Sequence, residues 1–324
     1  MPQFNKEPYQ TKSAVLFLIF NRPDTTKRVF EQIKVAKPKR LYIAADAPRP
    51  GVARDQELCR QTREIVSHID WDCEIKKLYR NKNVGCRKGV SSAVTWFFDH
   101  EEEGIILEDD CVPANSFFKF CDTLLEKYRD DTRIRHITGC NMQQGKKWGT
   151  GSYYFSNRTH VWGWASWKRV WNDYDLNLSK YSKEDIKERL LNIYNDTLVA
   201  EGWAEIFSQV KAGVINSWAY PLDFINFFNN GLVAIPNENL ISNIGFGSEM
   251  TNATLEKSIF DHIPLSEIDK ITHPVFILPE KQADLFIINH NFNLDEKRRR
   301  QHALKYEVKR LVKSLMNKAA FFIT

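Results

Sequence analysis

Three consecutive acidic residues, Glu108, Asp109 and Asp110, follow the apolar run Gly104–Leu107 and precede Cys111-Val112-Pro113. Adjacent carboxylates repel one another, and burial raises the cost of keeping them ionised. A divalent cation among the oxygens removes that difficulty. Hard cations such as Mg²⁺ or Mn²⁺ take one or two carboxylates and complete their shell with substrate phosphates and water. The pattern points to a metal shared with a diphosphate, where it would neutralise the leaving group. The plainer alternative is a solvated turn, with Asp110 capping a helix after Pro113. Alternation along a strand allows at most two of the three to face one site.

The elements needed to place that triplet are legible. "SAVLFLIF" (13–20) is a continuous apolar run of strand length, stopped by Asn21-Arg22-Pro23, and reads as a strand buried on both faces. A helix follows over 24–36, with Asp24 as its candidate cap. "RLYIAAD" ends a second strand on Asp46, residues 53–69 form a second helix, "CEIKKLYR" a third strand, 88–100 a third helix, and "GIILEDD" a fourth strand. This β-α-β-α-β-α-β order predicts an open, mostly parallel α/β sheet flanked by helices, with ligands beyond the carboxyl ends of the strands.

Other residues at those ends suit the same site. Asp46 could accept from the N3–H of a uracil-type base, or could start an Asx-turn in "DAPRPG". Arg22 could reach a base or a phosphate, beside Phe20 and Asn21. Arg87 and Lys88 stand in "NVGCRKG", at the start of a helix, where cations oppose the helix dipole and so suit an anion better than the helix.

Bulk properties narrow the class. Net charge is +5, but residues 291–324 carry nine Lys/Arg and three Asp/Glu, about +6, leaving the rest near −1. That argues against a nucleic-acid binder, whose positive charge belongs on the folded face. The six cysteines show no metal-ligand spacing, the chain has no apolar signal core, and no apolar run is long enough to span a membrane. The expectation is a cytoplasmic protein with reduced thiols. Residues 1–290 read as one catalytic domain, with a nucleotide-binding half (13–140) and a more irregular acceptor half (141–290). Residues 291–324 read as a basic amphipathic C-terminal tail, with Leu304, Val308, Leu311, Val312 and Leu315 on one helical face. Such a helix suits an anionic membrane surface, or packing on the domain with its basic face solvated.

Taken together, "VLFLIFNRPDTTKRVFEQI", "LYIAADAPR", "NKNVGCRKGV", "GIILEDDCVPANSFFKF", "HVWGWASWKRVW" and "NNGLVAIPNENLISNIGFG" resemble bacterial nucleotide-sugar glycosyltransferases of the GT-A fold. The nearest branch is the hemolytic-protein-like relatives of the family-2 transferases, with a more distant likeness to N-acetylglucosaminyltransferase I. The resemblance spans roughly 13–255. It implies that Asp110 binds Mn²⁺ or Mg²⁺, that Asp109 meets the sugar or a metal-bound water, and that Glu108 contacts the nucleotide-sugar. It implies that Asp46 reads uracil and Arg22 the nucleotide, that Gly163 and Trp164 border the donor sugar and acceptor, and that "FGSEMTNAT" closes over the diphosphate. It also implies a UDP-linked donor and a glycan or lipid-linked acceptor.

The chain departs from that family in two places. Ala219 stands where relatives carry an Asp in the acceptor half, so the base that would take the acceptor proton is sought among Asp223, Glu201 and Glu205. The late loop has Thr251, Asn252 and Thr254 where relatives often carry His. Inverting transfer is the leading reading. A degenerate transferase that binds nucleotide-sugar or glycan is the alternative. A sugar nucleotidyltransferase ranks lower, because "FNRPDTT" lacks the glycines of a phosphate loop.

Overall fold

Five successive apolar residues have no polar face to offer water, so β1 (Val15–Ile19) has to be covered on both sides, and all five side chains are buried. The computed structural model describes residues 7–179, 181–245, 263–301, 303, 305–307 and 309. After β1 come α1 (Pro23–Ala36), β2 (Arg40–Ala45), α2 (Ala53–Ile65), β3 (Glu74–Tyr79), α3 (Gly85–His100) and β4 (Glu103–Glu108). These are the expected elements with their ends moved by a few residues. Helix α1 starts on Pro23, whose fixed φ suits the first helical position, so Asp24 lies inside the first turn and does not cap.

The remaining elements are β5 (Cys111–Pro113), α4 (Asn115–Lys127), β6 (Ile134–Thr138), β7 (Tyr153–Ser156), β8 (Trp164–Trp167), α5 (Lys168–Trp171), α6 (Lys183–Tyr194), α7 (Thr197–Lys211), α8 (Ala219–Phe228), β9 (Leu232–Pro236), β10 (Ile241–Asn243) and α9 (Lys281–Phe292). Eight strands make one open sheet in the order β3-β2-β1-β4-β8-β6-β9-β7, and β5 pairs with β10 in a separate two-stranded ribbon. Strands β3, β2, β1 and β4 are parallel neighbours. Only β8 and β7 run against the other six. The chain thus builds the open, mostly parallel α/β sheet that its pattern predicts.

That order matters for ligands. From β1 the chain winds outward through β2 to β3, then crosses back to place β4 on the other side of β1. The connections leaving β1 and β4 run to opposite sides of the sheet, and the carboxyl ends of the strands at such a switch point are where open α/β sheets bind ligands.

The second half is more regular than expected. It supplies β7, β8 and β9 to the same sheet. Helices α6, α7 and α8 pack together around Trp203, Phe207, Phe224 and Phe227. The boundary expected after residue 290 falls inside α9. The Phe292 ring meets Trp203 edge-on at 5.6 Å, Leu294 is fully buried, and Arg298 pairs with Asp196 at 2.5 Å. The start of the expected tail is therefore part of the domain, because its apolar residues complete the packing of α7. The apolar face expected at Leu304, Val308, Leu311, Val312 and Leu315, and the late-loop residues Thr251, Asn252 and Thr254, lie outside the described residues. Among the described residues no helix is long and apolar enough to cross a membrane.

One carboxylate ties the chain start to the sheet. Asp122 on α4 accepts from Tyr9 Oη (2.9 Å), Thr11 Oγ1 (3.0 Å), Lys12 N (2.7 Å) and Ser13 N (3.2 Å). Asp122→Ala leaves these donors unpaired and is expected to lower stability by about 2–4 kcal/mol. A lower urea midpoint at unchanged slope would show it.

Candidate functional site

Strand β4 ends at Glu108, and Asp109-Asp110 form the turn into β5. The strand alternation that would separate neighbouring side chains stops there. Both turn carboxylates consequently reach one guanidinium: Arg22 Nη1 lies 2.8 Å from Asp110 Oδ2 and 3.6 Å from Asp109 Oδ1. Asp109 Oδ2 also accepts from Phe20 N at 3.1 Å, and the Asp110 carbonyl accepts from Ile244 N at 2.8 Å. Asp110 caps no helix. The N-terminal amides of α4 are met by Glu267 instead, which accepts from Asn115 N (3.1 Å) and Ser116 N (2.8 Å).

The loop after β1 is held from below. Asn21 Nδ2 donates to Asp55 Oδ1 at 2.9 Å, Arg49 Nε donates to Asp55 Oδ2 at 2.6 Å, and the Arg49 guanidinium lies over the Phe20 ring. Asp55 is fully buried, and its hydrogen bonds from Arg49 hold its carboxyl well below the usual range. Sequence reasoning missed Arg49, Asp55 and Cys86. The signals were present: a cation inside the Pro/Gly-rich loop after β2, an acid in the first turn of α2, and a cysteine beside Arg87. Cys86 is exposed, its thiol free of any disulfide.

Asp46 is committed to structure. Its oxygens accept from Ala47 N (2.9 Å), Val84 N (3.0 Å) and Gly85 N (3.0 Å), so it caps α3 from a neighbouring strand. Arg87 donates to the Leu176 carbonyl at 2.7 Å, which directs it to the 176–177 segment, while Lys88 is exposed.

Several expected site residues are corrected by their surroundings. Trp164 is 1% exposed, stacked on His136 (5.1 Å) and Trp218 (6.1 Å), so no face is left for a sugar. Gly163 is buried at φ +58°, and a side chain there would collide with Ile241; packing explains the glycine. Asp223 is 5% exposed on α8, accepting from Thr159 N (3.1 Å) and Arg158 Nη1 (3.4 Å). Glu201 and Glu205 lie on the solvent side of α7 and pair across to α6, with Lys187 and Lys183, each at 2.8 Å. The structure brings none of these three carboxylates into contact with the β4–β5 turn.

A charged cavity of about 670 Å³ lies at the opposite, amino-terminal ends of the strands. Its arginines are already engaged, Arg40 with Glu101 and Arg129 with Glu103, each at 2.8 Å, and Arg169 with four backbone carbonyls. The crevice at the carboxyl ends, with its cluster of like charges, is the better candidate site.

The turn suits a hard cation by its donors, which are carboxylate oxygens alone. It also suits one by its walls: a side chain at Gly245 would overlap Asp110 Oδ2, so the glycine leaves room on that side of an oxygen held by Arg22 Nη1. Among the described residues no group of three or more His, Cys, Asp or Glu could hold a metal ion by itself.

No protein-family model and no curated protein matches the chain. Solved structures similar to it include the mannosyltransferase PcManGT from Pyrobaculum calidifontis in complex with GDP-Man and Mn²⁺. It is 12% identical over 71% of this chain and 72% of that one, at TM-score 0.37. A UDP-glucose pyrophosphorylase complexed with UDP-glucose is 11% identical over 50% and 79%, at 0.30. The inositol-1-phosphate CTP transferase from T. maritima is 11% identical over 54% and 76%, at 0.32. Likeness at this level decides neither fold nor activity.

Burial, then Asp110 and Asp109, push the Glu108 carboxyl up to about 8; burial, then Asp110, push Asp109 up to about 7. The fold therefore favours the neutral forms. This contribution to stability is complete below the usual carboxylate range and is lost as pH rises through about 7 and 8. Asp109→Asn keeps the bond from Phe20 N without the charge. Relative to the original protein it is expected to melt at progressively higher temperature as the pH goes from about 5 to about 8 without metal. A difference in melting temperature independent of pH would contradict the assignment.

Proposed function

We propose that the protein is a metal-dependent glycosyltransferase of the GT-A type. On this reading it binds a nucleoside-diphospho sugar, UDP-linked, in the crevice between β1 and β4, and transfers the sugar with inversion to a glycan or lipid-linked acceptor. The observation that carries the reading is the Asp109-Asp110 turn at the switch point of the sheet, facing Arg22 across 2.8 Å and 3.6 Å. Asp110 and Asp109 would hold Mn²⁺ or Mg²⁺, which when bound supplies charge neutralisation for a departing diphosphate. Two carboxylates are the set expected of a cation that shares its shell with substrate phosphates.

This chain's own residues bind and orient. Phe20 N fixes Asp109, and Ile244 N fixes the backbone at Asp110. Glu108 is held at the end of β4 in register with Leu18 of β1. Arg22 offers a guanidinium to the phosphates. Asp46 contributes by setting the start of α3 against the β2 end, whatever the base that binds there.

A second reading has a specific observation behind it. Ala219 supplies no carboxylate, and Asp223, Glu201 and Glu205 are engaged in pairs away from the turn. This favours a protein that binds nucleotide-sugar without transferring it.

Donor hydrolysis separates the two. The transferase reading expects slow, Mn²⁺-dependent release of UDP from a UDP-sugar, lowered at least about a hundredfold in Asp110→Ala. UDP binding that needs Mn²⁺ but yields no turnover with any donor would favour the binding protein. UDP binding indifferent to metal would sink both readings.

A further inference from the structure

The β4–β5 turn already contains a cation. Arg22 Nη1 contacts both Asp110 Oδ2 (2.8 Å) and Asp109 Oδ1 (3.6 Å). The backbones on either side are fixed. Arg22 is the residue before the first turn of α1, its carbonyl accepting from Thr26 N at 3.0 Å, and Pro23 locks the next φ. The turn is held by Phe20 N on Asp109 and Ile244 N on the Asp110 carbonyl. The freedom left between these two fixed backbones is in the side chain of Arg22, whose exposed quarter opens to solvent.

A divalent cation on Asp110 and Asp109 would need the oxygens that Arg22 now holds. Two positive groups within a few ångströms in a partly buried crevice repel strongly, so they cannot share those oxygens at full strength. The guanidinium has a planar fork suited to phosphate as well as to carboxylate, which gives it a second place to go once a diphosphate arrives.

We propose that Arg22 is the resident counter-ion of the turn, competing with the divalent cation for Asp109 and Asp110, so that cation entry turns the guanidinium out to the diphosphate. The proposal rests on the reading of the turn as a divalent-cation site. Arg22 is then a positioning residue that couples two ligands. Cation alone binds against Arg22, and diphosphate that draws Arg22 away makes cation binding easier; by linkage, cation favours diphosphate equally.

The test is a Mn²⁺ titration of the full chain, reading free Mn²⁺ by electron paramagnetic resonance, with and without UDP. Without UDP, Arg22→Gln is expected to bind Mn²⁺ at least about fivefold more tightly than the original protein. Its affinity should rise less when UDP is added. Arg22→Lys keeps the charge and is expected to stay within about twofold of the original. Melting temperature gives a second readout: Arg22→Gln, left with uncompensated carboxylates, should gain more from Mn²⁺ than the original does. A merely structural Arg22 would not yield tighter metal binding on removal. Equal or weaker Mn²⁺ binding by Arg22→Gln, with no larger melting gain, overturns the proposal while leaving the cation site standing. Absence of Mn²⁺ binding in both folded proteins, with or without UDP, removes the cation reading and this proposal with it. If Arg22→Gln folds only when Mn²⁺ is present, and not in sodium chloride of matched ionic strength, the proposal is supported; failure to fold in either overturns it.

Discussion

The site depends on a charge balance at one turn. Three carboxyl groups stand where β4, buried along its middle, gives way to the turn, and the guanidinium of Arg22 is the positive group set against Asp109 and Asp110. Without that group the turn would hold adjacent negative charges in a place from which water is largely excluded. The two halves of the pair come from 88 residues apart in the chain. They meet because β1 and β4 are parallel neighbours in register, with Leu18 beside Glu108. Sheet order is therefore a precondition of the electrostatics.

The same economy of long-range carboxylates recurs at the helix starts around the crevice. Helices α3 and α4 have Val84 and Ala114 at the capping position, neither of which can cap. Their free amides are met by Asp46 from the end of β2 and by Glu267 from a distant segment. Each such bond joins a helix to another part of the molecule, so local helix stability and tertiary placement become one quantity. This is why Asp46, which looks from the sequence like a ligand group, is already occupied when the chain is folded.

The second half applies the opposite solution to charge. Arg158 and Asp223 are both almost wholly buried, and the guanidinium also lies 4.2 Å over the Trp203 ring. Asp284, itself buried, is met by Ser156 and by Asn157 N. A buried pair of this kind gives little net stability over apolar packing, but losing one member is costly. The Arg158–Asp223 pair ties α8 to the segment after β7, and Asp284 ties α9 to the end of β7 and the residue beyond it.

The sequence by itself determined the strand and helix alternation of the first half, since a five-residue apolar run such as Val15–Ile19 can satisfy itself only inside a two-sided sheet. It also determined that the acidic triplet stands at a strand end, because the apolar run stops there. Which carboxylates are free to act was decided only in three dimensions. Asp46, Asp223, Glu201 and Glu205 differ from Asp109 and Asp110 by their partners, and apart from Ala47 N beside Asp46 those partners are remote in sequence or on another element. The aromatic run from Trp162 to Trp171 was ambiguous for the same reason. A tryptophan has the same composition whether it faces a sugar or, as Trp164 does, lies between His136 and Trp218 in the core. Pattern reports the period at which side chains turn inward, whereas the assignment of a polar group to structure or to chemistry depends on distances that only the folded chain sets.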